Sequence, residues 1–347
     1  VTISQDAHIV SLSLRTTEGL LEAEFNALGA RQVSLRFNGR NALQPYAVKE
    51  VPPFATGFTM APWANRMRDG KWYKDGHAQT NPITEASTNT ALHGLLLETV
   101  YDIAEQTESS VTFTTDLNPS DGYPFHVTVS VTYQLTVDGF TATHRAFNHS
   151  NEPAPYATGA HPYLYFEGID TEDLEIQIPA ESWTRVDSRL LPVATEPVSK
   201  HPVAGQLLAA GDWIRLGNFC IDNDFLDLKR DADGIARTKL RLPGLLAAGF
   251  RIPGASAFGA VAGNEAGDPR RIEIWQDESF PHVHVFSTPN YPVVATDGTY
   301  QNGLIQHGIT IEPVTSGPDS FNTRNDLILL TPGQEWSGSW GISLLNW

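Results

Sequence analysis

Val127-Thr128-Val129-Ser130-Val131-Thr132-Tyr133-Gln134-Leu135, continued by Thr136-Val137-Asp138-Gly139-Phe140-Thr141-Ala142-Thr143-His144, alternates apolar and polar residues on both sides of an Asp-Gly pair. A period of two over nine residues places Val127, Val129, Val131, Tyr133 and Leu135 on one face, which is the signature of a half-buried strand. The Asp138-Gly139 pair, followed by Phe140, Ala142 and His144 at the same period, predicts an antiparallel hairpin with a glycine-bearing turn. Shorter alternating or β-branched runs at Val33–Phe37, Val111–Thr115, Leu174–Ile178, Arg271–Trp275 and Val283–Ser287 extend the pattern. Helical periodicity is scarce, with short candidates at Val203–Ala210 and Thr171–Leu174. The expectation is an all-β chain: one large antiparallel domain spanning 1–347, two sheets packed face to face, with few short helices. Its 28 Gly and 23 Pro are spread as turn punctuation, and no linker tract or repeat divides it. The Gly- and Ala-rich stretch Leu245–Asp268 reads as a surface excursion.

Of 347 residues, 41% are hydrophobic and 18% charged, as in folded globular chains. Forty acidic against 23 basic residues give a net charge of −17, a field that repels nucleic acid and anionic membranes. Neither is an expected partner; a small molecule is. Cys220 is the single cysteine, so an intrachain disulfide and a Cys-rich zinc site are both excluded. No apolar run approaches membrane length, and no basic-then-apolar leader pattern stands near Val1. The expected setting is cytoplasmic, as monomer or homodimer.

Chemistry concentrates in a few places. In Thr158-Gly-Ala-His161-Pro162-Tyr163, the proline fixes the local backbone and pushes His161 toward an extended conformation. Tyr156, Tyr163, Tyr165 and Phe166 offer an aromatic wall suited to sugar faces, and histidine is the side chain that exchanges a proton near neutral pH. Glu312 stands between Ile309, Ile311 and Pro313; a carboxylate at the end of a buried strand has a raised pKa and serves as a base near pH 7. Asn65-Arg66 follows Trp63 in an otherwise charged turn, where a guanidinium can fork onto hydroxyls. His93 in Leu92-His93-Gly94 is a second hydrogen-bonding histidine, and Asp222 can bind adjacent hydroxyls. His282 and His284, two apart on one strand, read as an ordinary polar strand face in preference to a metal pair. Trp275, Trp336, Trp340 and Trp347 read as core or sugar-facing aromatics, and Cys220 as a small buried residue.

Taken in order, Asn65-Arg66, Leu92-His93-Gly94, His161-Pro162-Tyr163, Asp222 with Phe225, Glu312-Pro313 with Pro318-Asp319 and Asn322, then Leu330-x-Pro332-Gly333 resemble the aldose 1-epimerase (galactose mutarotase) family. The markers run from about residue 60 to 335. Leu95, Leu164-Tyr165 and Val314 depart from the residues commoner in the family at those places. The resemblance implies a large two-sheet β-sandwich and interconversion of the α and β anomers of an aldose by ring opening and reclosure. It assigns Glu312 as general base on the anomeric hydroxyl and His161 as general acid on the ring oxygen. His93 would hold the ring-oxygen side, while Arg66, Asp222 and Asn65 would bind substrate. No cofactor and no metal are implied, because the proton inventory closes.

Three other readings fit parts of the pattern. A non-catalytic carbohydrate-binding protein would keep the aromatics and Asp222 without needing both His161 and Glu312. A mutarotase for a phosphorylated or sulfonated hexose would use Arg68 and Lys71 for the anion. A glycoside hydrolase would pair Glu312 with Asp222 or Asp319 and leave His161 idle.

Overall fold

The structure, a computed structural model, describes residues 8–49, 51–217, 221–243 and 270–347. Cys220 and the Leu245–Asp268 stretch lie outside these residues. The strand Val127–Leu135 forms as its alternation demands, with Val127, Val129, Val131 and Tyr133 fully buried and the residues between them turned outward. It pairs with Ser110–Leu117 on one side and Gly139–Asn148 on the other, all antiparallel. Each fully buried aliphatic side chain on this face stabilises the fold by about 1.5–3 kcal/mol, so the face is an efficient anchor.

Gly139 serves a different purpose from the one its Asp-Gly context suggests. Its φ is not among the positive ones. A Cβ there would lie 1.9 Å from the Ile342 carbonyl oxygen, so the glycine is required by the close approach of the strand Glu335–Leu345. That strand pairs with Gly139–Asn148 and carries the sheet onward to Arg271–Gln276 and Ala236–Arg241. The resulting sheet has nine strands, with Asp102–Gln106 at one edge and Ile214–Arg215 at the other.

The second large sheet has eight strands, and its centre is the long antiparallel pair His282–Val294 and Tyr300–Val314. Asp222–Leu228 flanks the pair on one side, with Ala180–Val186 and Pro192–Pro197 beyond it. Gly159–Ala160, Tyr163–Leu164 and Thr59–Met60 lie on the other. Inner faces of both sheets merge in one apolar cluster that includes Val129, Phe140, Val283, Ile311 and Trp340. Two polar networks run through it: Trp340 donates its indole N–H to His144 Nε2 (2.9 Å), whose Nδ1 meets the Thr158 hydroxyl at 2.9 Å. Tyr133 donates to the Ala30 carbonyl (2.7 Å) and accepts from Gln32 (2.6 Å). The two-sheet antiparallel architecture is therefore the one the period-two pattern predicts. A four-stranded sheet built from Ile9–Arg15, Leu20–Asn26, Arg31–Phe37 and Arg40–Asn41 adds to it. Among the described residues helix is confined to short pieces; Gly205–Ala210 falls inside the expected Val203–Ala210 segment, and Thr171–Asp173 is a single 3₁₀ turn.

Candidate active site

Glu312 lies near the end of Tyr300–Val314 and is directly opposite His284 in the neighbouring strand. On the next strand over, Asp222 reaches diagonally to accept a hydrogen bond from His284 Nε2 at 2.8 Å. These three residues share one face of the central strands because Glu312 pairs with His284, and Asp222 pairs with Phe286, two residues along from His284.

His161 approaches the same face from the opposite side. Gly159 pairs with Val314 and Tyr163 with Thr310, but the intervening His161-Pro162 leaves the ladder because proline has no N–H to donate. Two backbone bonds across to the turn at 57–58 hold the detour: His161 N–H to the Phe58 carbonyl (3.0 Å) and Gly57 N–H to the His161 carbonyl (2.9 Å). The imidazole is thereby set over Glu312, with Nε2 3.3 Å from Oε1. The two groups touch each other side by side, a closer arrangement than opposite flanks of a bound ring would need.

The remaining residues arrive on two short paired segments, Arg66–Arg68 and Thr90–Leu92. Asn65 and His93 both sit at positive φ, 56° and 61°, and so place tight bends in the cavity wall. Gly94 is obligatory there, since its φ is 83° and a Cβ would lie 2.0 Å from the Ala61 carbonyl oxygen. His93 Nδ1 accepts the Asn65 backbone N–H at 3.2 Å, so the neutral ring carries its proton on Nε2 and presents a donor. The His93 and His161 rings meet edge to face with centroids 5.1 Å apart. Arg66 is held in a fork by Glu85, Nε to Oε2 at 2.7 Å and Nη2 to Oε1 at 3.0 Å, and its Nη2 is 3.6 Å from Asp222.

All six residues singled out from sequence, Asn65, Arg66, His93, His161, Asp222 and Glu312, line one cavity of about 320 Å³. The same cavity is lined by His284, Glu85, Phe54 and Phe286, which the sequence reading did not single out as site residues. His284 was visible only as half of an alternating His-Val-His-Val strand. Glu85, in a run of Thr, Ser and Asn, carried no signal. The aromatic wall also differs: Phe54 and Phe286 face the cavity, whereas Tyr163 lies behind His161, stacked on it at 5.5 Å. Tyr156 and Phe166 are core residues, and Tyr165 lines a separate cavity. Trp340 lies in the core, and Trp336 and Trp347, partly buried, pack against it. Arg68 is bound by Asp319 through its backbone N–H (3.0 Å) and its Nε (3.2 Å). His282 is paired with Asp224 and Asp326 on its two nitrogens.

Burial controls the electrostatics. It pushes the Glu312 carboxyl up to about 8, with His284 and Arg66 pulling back and Asp222 adding to the rise. Burial pulls His161 down to about 3, helped by the charge of His284. His93 is likewise held well below the ordinary histidine value by burial and by His161. Asp222 and His284 behave in the reverse sense. For each, burial opposes the charge but is outweighed: the bond from His284 keeps Asp222 ionised below its ordinary value, and the charge of Glu312 together with the bond to Asp222 keeps His284 protonated above its own. The cavity thus has a fixed charged side, Arg66–Asp222–His284. Its other side is the His161–Glu312 pair, whose neutral forms burial favours. Such a pair shares one proton over a wide pH range.

The sequence profile of the aldose 1-epimerase family matches residues 11–241. The uncharacterized protein YihR of Escherichia coli K12 is 26% identical over 328 residues, covering 94% of this chain and 91% of that protein. In fold, the chain is similar to the GalM/aldose epimerase homologue from C. elegans, with a TM-score of 0.74 at 17% identity, covering 97% of this chain and 98% of that one. It is similar also to galactose 1-epimerase from Lactobacillus acidophilus, with a TM-score of 0.69 at 16% identity, covering 96% and 93%. By this match to its sequence, the chain belongs to the aldose 1-epimerase family.

Proposed function

We propose that the protein interconverts the α and β anomers of an aldose without a cofactor, by acid–base ring opening and reclosure. The observation that carries this reading is the buried contact between His161 Nε2 and Glu312 Oε1 at 3.3 Å inside a monosaccharide-sized cavity. The anomeric hydroxyl and the ring oxygen are bonded to the same carbon, so the groups that serve them must be neighbours, as these are. The reaction runs through the less populated, charged arrangement of the one-proton pair, in which the proton sits on His161 and Glu312, as carboxylate, takes the proton from the anomeric hydroxyl. The bond from C1 to the ring oxygen breaks, its electrons pass to that oxygen, and His161 as imidazolium protonates it. Rotation about C1–C2 of the open aldehyde presents the other face, and reclosure returns both protons to their starting groups.

The rest of the cavity is suited to holding the sugar. Arg66, fixed by Glu85, and the ionised Asp222 offer a donor fork and an acceptor for hydroxyls. His93 presents Nε2–H beside His161, where the ring oxygen would lie. Phe54 and Phe286 supply an apolar face for the C–H surface of the ring. Polarimetry of freshly dissolved α-glucose and α-galactose tests the proposal: the approach to anomeric equilibrium accelerates in proportion to protein concentration. Rates equal to the uncatalysed blank across a panel of aldoses would favour the carbohydrate-binding module instead.

A further inference from the structure

We propose that Asp116, His126 and His149 form a binding site for one divalent transition-metal ion of the zinc class, away from the catalytic cavity. The site follows from sheet register. Val127 pairs with Asn148, and the His149 N–H donates to the His126 carbonyl at 2.9 Å, so the two histidines face each other just beyond the ends of their strands. Thr128 pairs with Asp116 on one neighbour and with Phe147 on the other. His126, Thr128 and His149 therefore project from the face opposite to buried Val127 and Val129, with Asp116 beside them.

The side chains converge. One ligand atom from each of Asp116, His126 and His149 lies within 4.8 Å of the other two. The imidazoles are stacked at 4.5 Å with 24° between planes, and Phe147 braces His149 edge to face at 4.6 Å. His149 Nε2 is held 2.7 Å from the Thr128 hydroxyl, which donates to Asp116 Oδ1 at 2.6 Å. His126 Nε2 is a buried atom without a hydrogen-bond partner, 3.6 Å from the same Asp116 Oδ1. An imidazole nitrogen turned toward a carboxylate yet making no bond is the observation that points to a ligand.

Two nitrogens and one carboxylate oxygen suit zinc, nickel, cobalt or copper and not the hard cations calcium and magnesium. Bonds of about 2.0–2.2 Å need the three atoms to close in by roughly an ångström, within reach of side-chain rotation. Asp116, whose side chain is 48% exposed, and the exposed His149 leave an approach for the ion and a place for water as a further ligand, while His126 Nε2 closes the site from within. The chain's net charge of −17 adds a general attraction for cations. Both imidazoles must bind in neutral form through Nε2, so His149 carries its proton on Nδ1 in the loaded state.

The experiment is calorimetric titration of ZnCl2 into the full chain after chelator treatment and gel filtration, repeated on His126→Ala/His149→Ala and on Asp116→Asn. His77→Ala, a change at another exposed histidine, is the control. The expected result is one saturable zinc equivalent in the wild type and the control. Affinity in the double variant should fall by more than the about tenfold typical of losing even an outer-shell partner. Cobalt in place of zinc should give a ligand-field absorption band that the double variant lacks. Absence of saturable binding in the wild type, or equal binding by the folded double variant, would overturn the assignment.

Discussion

Glu312 and His161 owe their properties to burial more than to their neighbours, and this has direct kinetic consequences. On the proposed mechanism, Glu312→Gln preserves the shape of the side chain but removes the base, and the anomerisation rate constant should drop by about 10²–10⁴-fold while circular dichroism stays unchanged. The pH profile follows from the pair. In the proposed mechanism the working state holds a single proton between the two groups. It gains a second only near the low value of His161, about 3, and loses its last near the raised value of Glu312, about 8. Activity should therefore be flat through neutrality and decline as pH rises through about 8, measured as kcat/KM by polarimetry; a profile centred on an ordinary histidine value would contradict the pairing. Both residues were legible from sequence because each stands beside proline in an apolar setting. His284 was not, since its role depends on a cross-strand partner 28 residues away, and nothing local records that pairing.

A strand is legible in its sequence to the extent that its cause is local. Val127–Leu135 was readable to the residue because alternation alone determines it. The strand His282–Val294 was readable only as Val283–Ser287, because Pro289 and Pro292 normally argue against a strand interior. The structure accommodates them with register shifts between Thr288 and Tyr291 and between Pro292 and Val294. The loop carrying Glu85 shows the opposite limit: its carboxylate accepts from Arg66, Thr88 and Thr90, a cluster built from residues with no periodicity. Its function can be tested. Glu85→Ala removes a charge-assisted bond of about 1.5–3 kcal/mol and frees Arg66 to swing, so KM should rise about tenfold with a smaller effect on kcat. An unchanged KM would mean that the guanidinium is positioned by Asp222 alone.

Across the molecule, the register of the eight-stranded sheet sets the titratable groups of Glu312, His284, Asp222, Asp224 and His282 on one face. His282 is the extreme case. Burial opposes its charge, but Asp224 on one nitrogen and Asp326 on the other outweigh that and raise it to about 10. A histidine whose folded value is raised contributes fully below its unfolded value and loses that contribution as pH climbs through the folded one. Stability should accordingly decline between about pH 6.5 and 10, with a slope of at most about 1.4 kcal/mol per pH unit from this residue. Denaturant titrations of wild type and His282→Gln at pH 7 and 9 check it, the variant showing the shallower dependence. The side-by-side placement of imidazole and carboxyl carries a last consequence. A sugar that opens and recloses between them leaves the couple as it found it, with no net exchange with bulk water in a turnover. Raising the concentration of external buffer at constant pH and ionic strength should then leave the catalysed rate untouched, while the spontaneous reaction in the same cuvette speeds up.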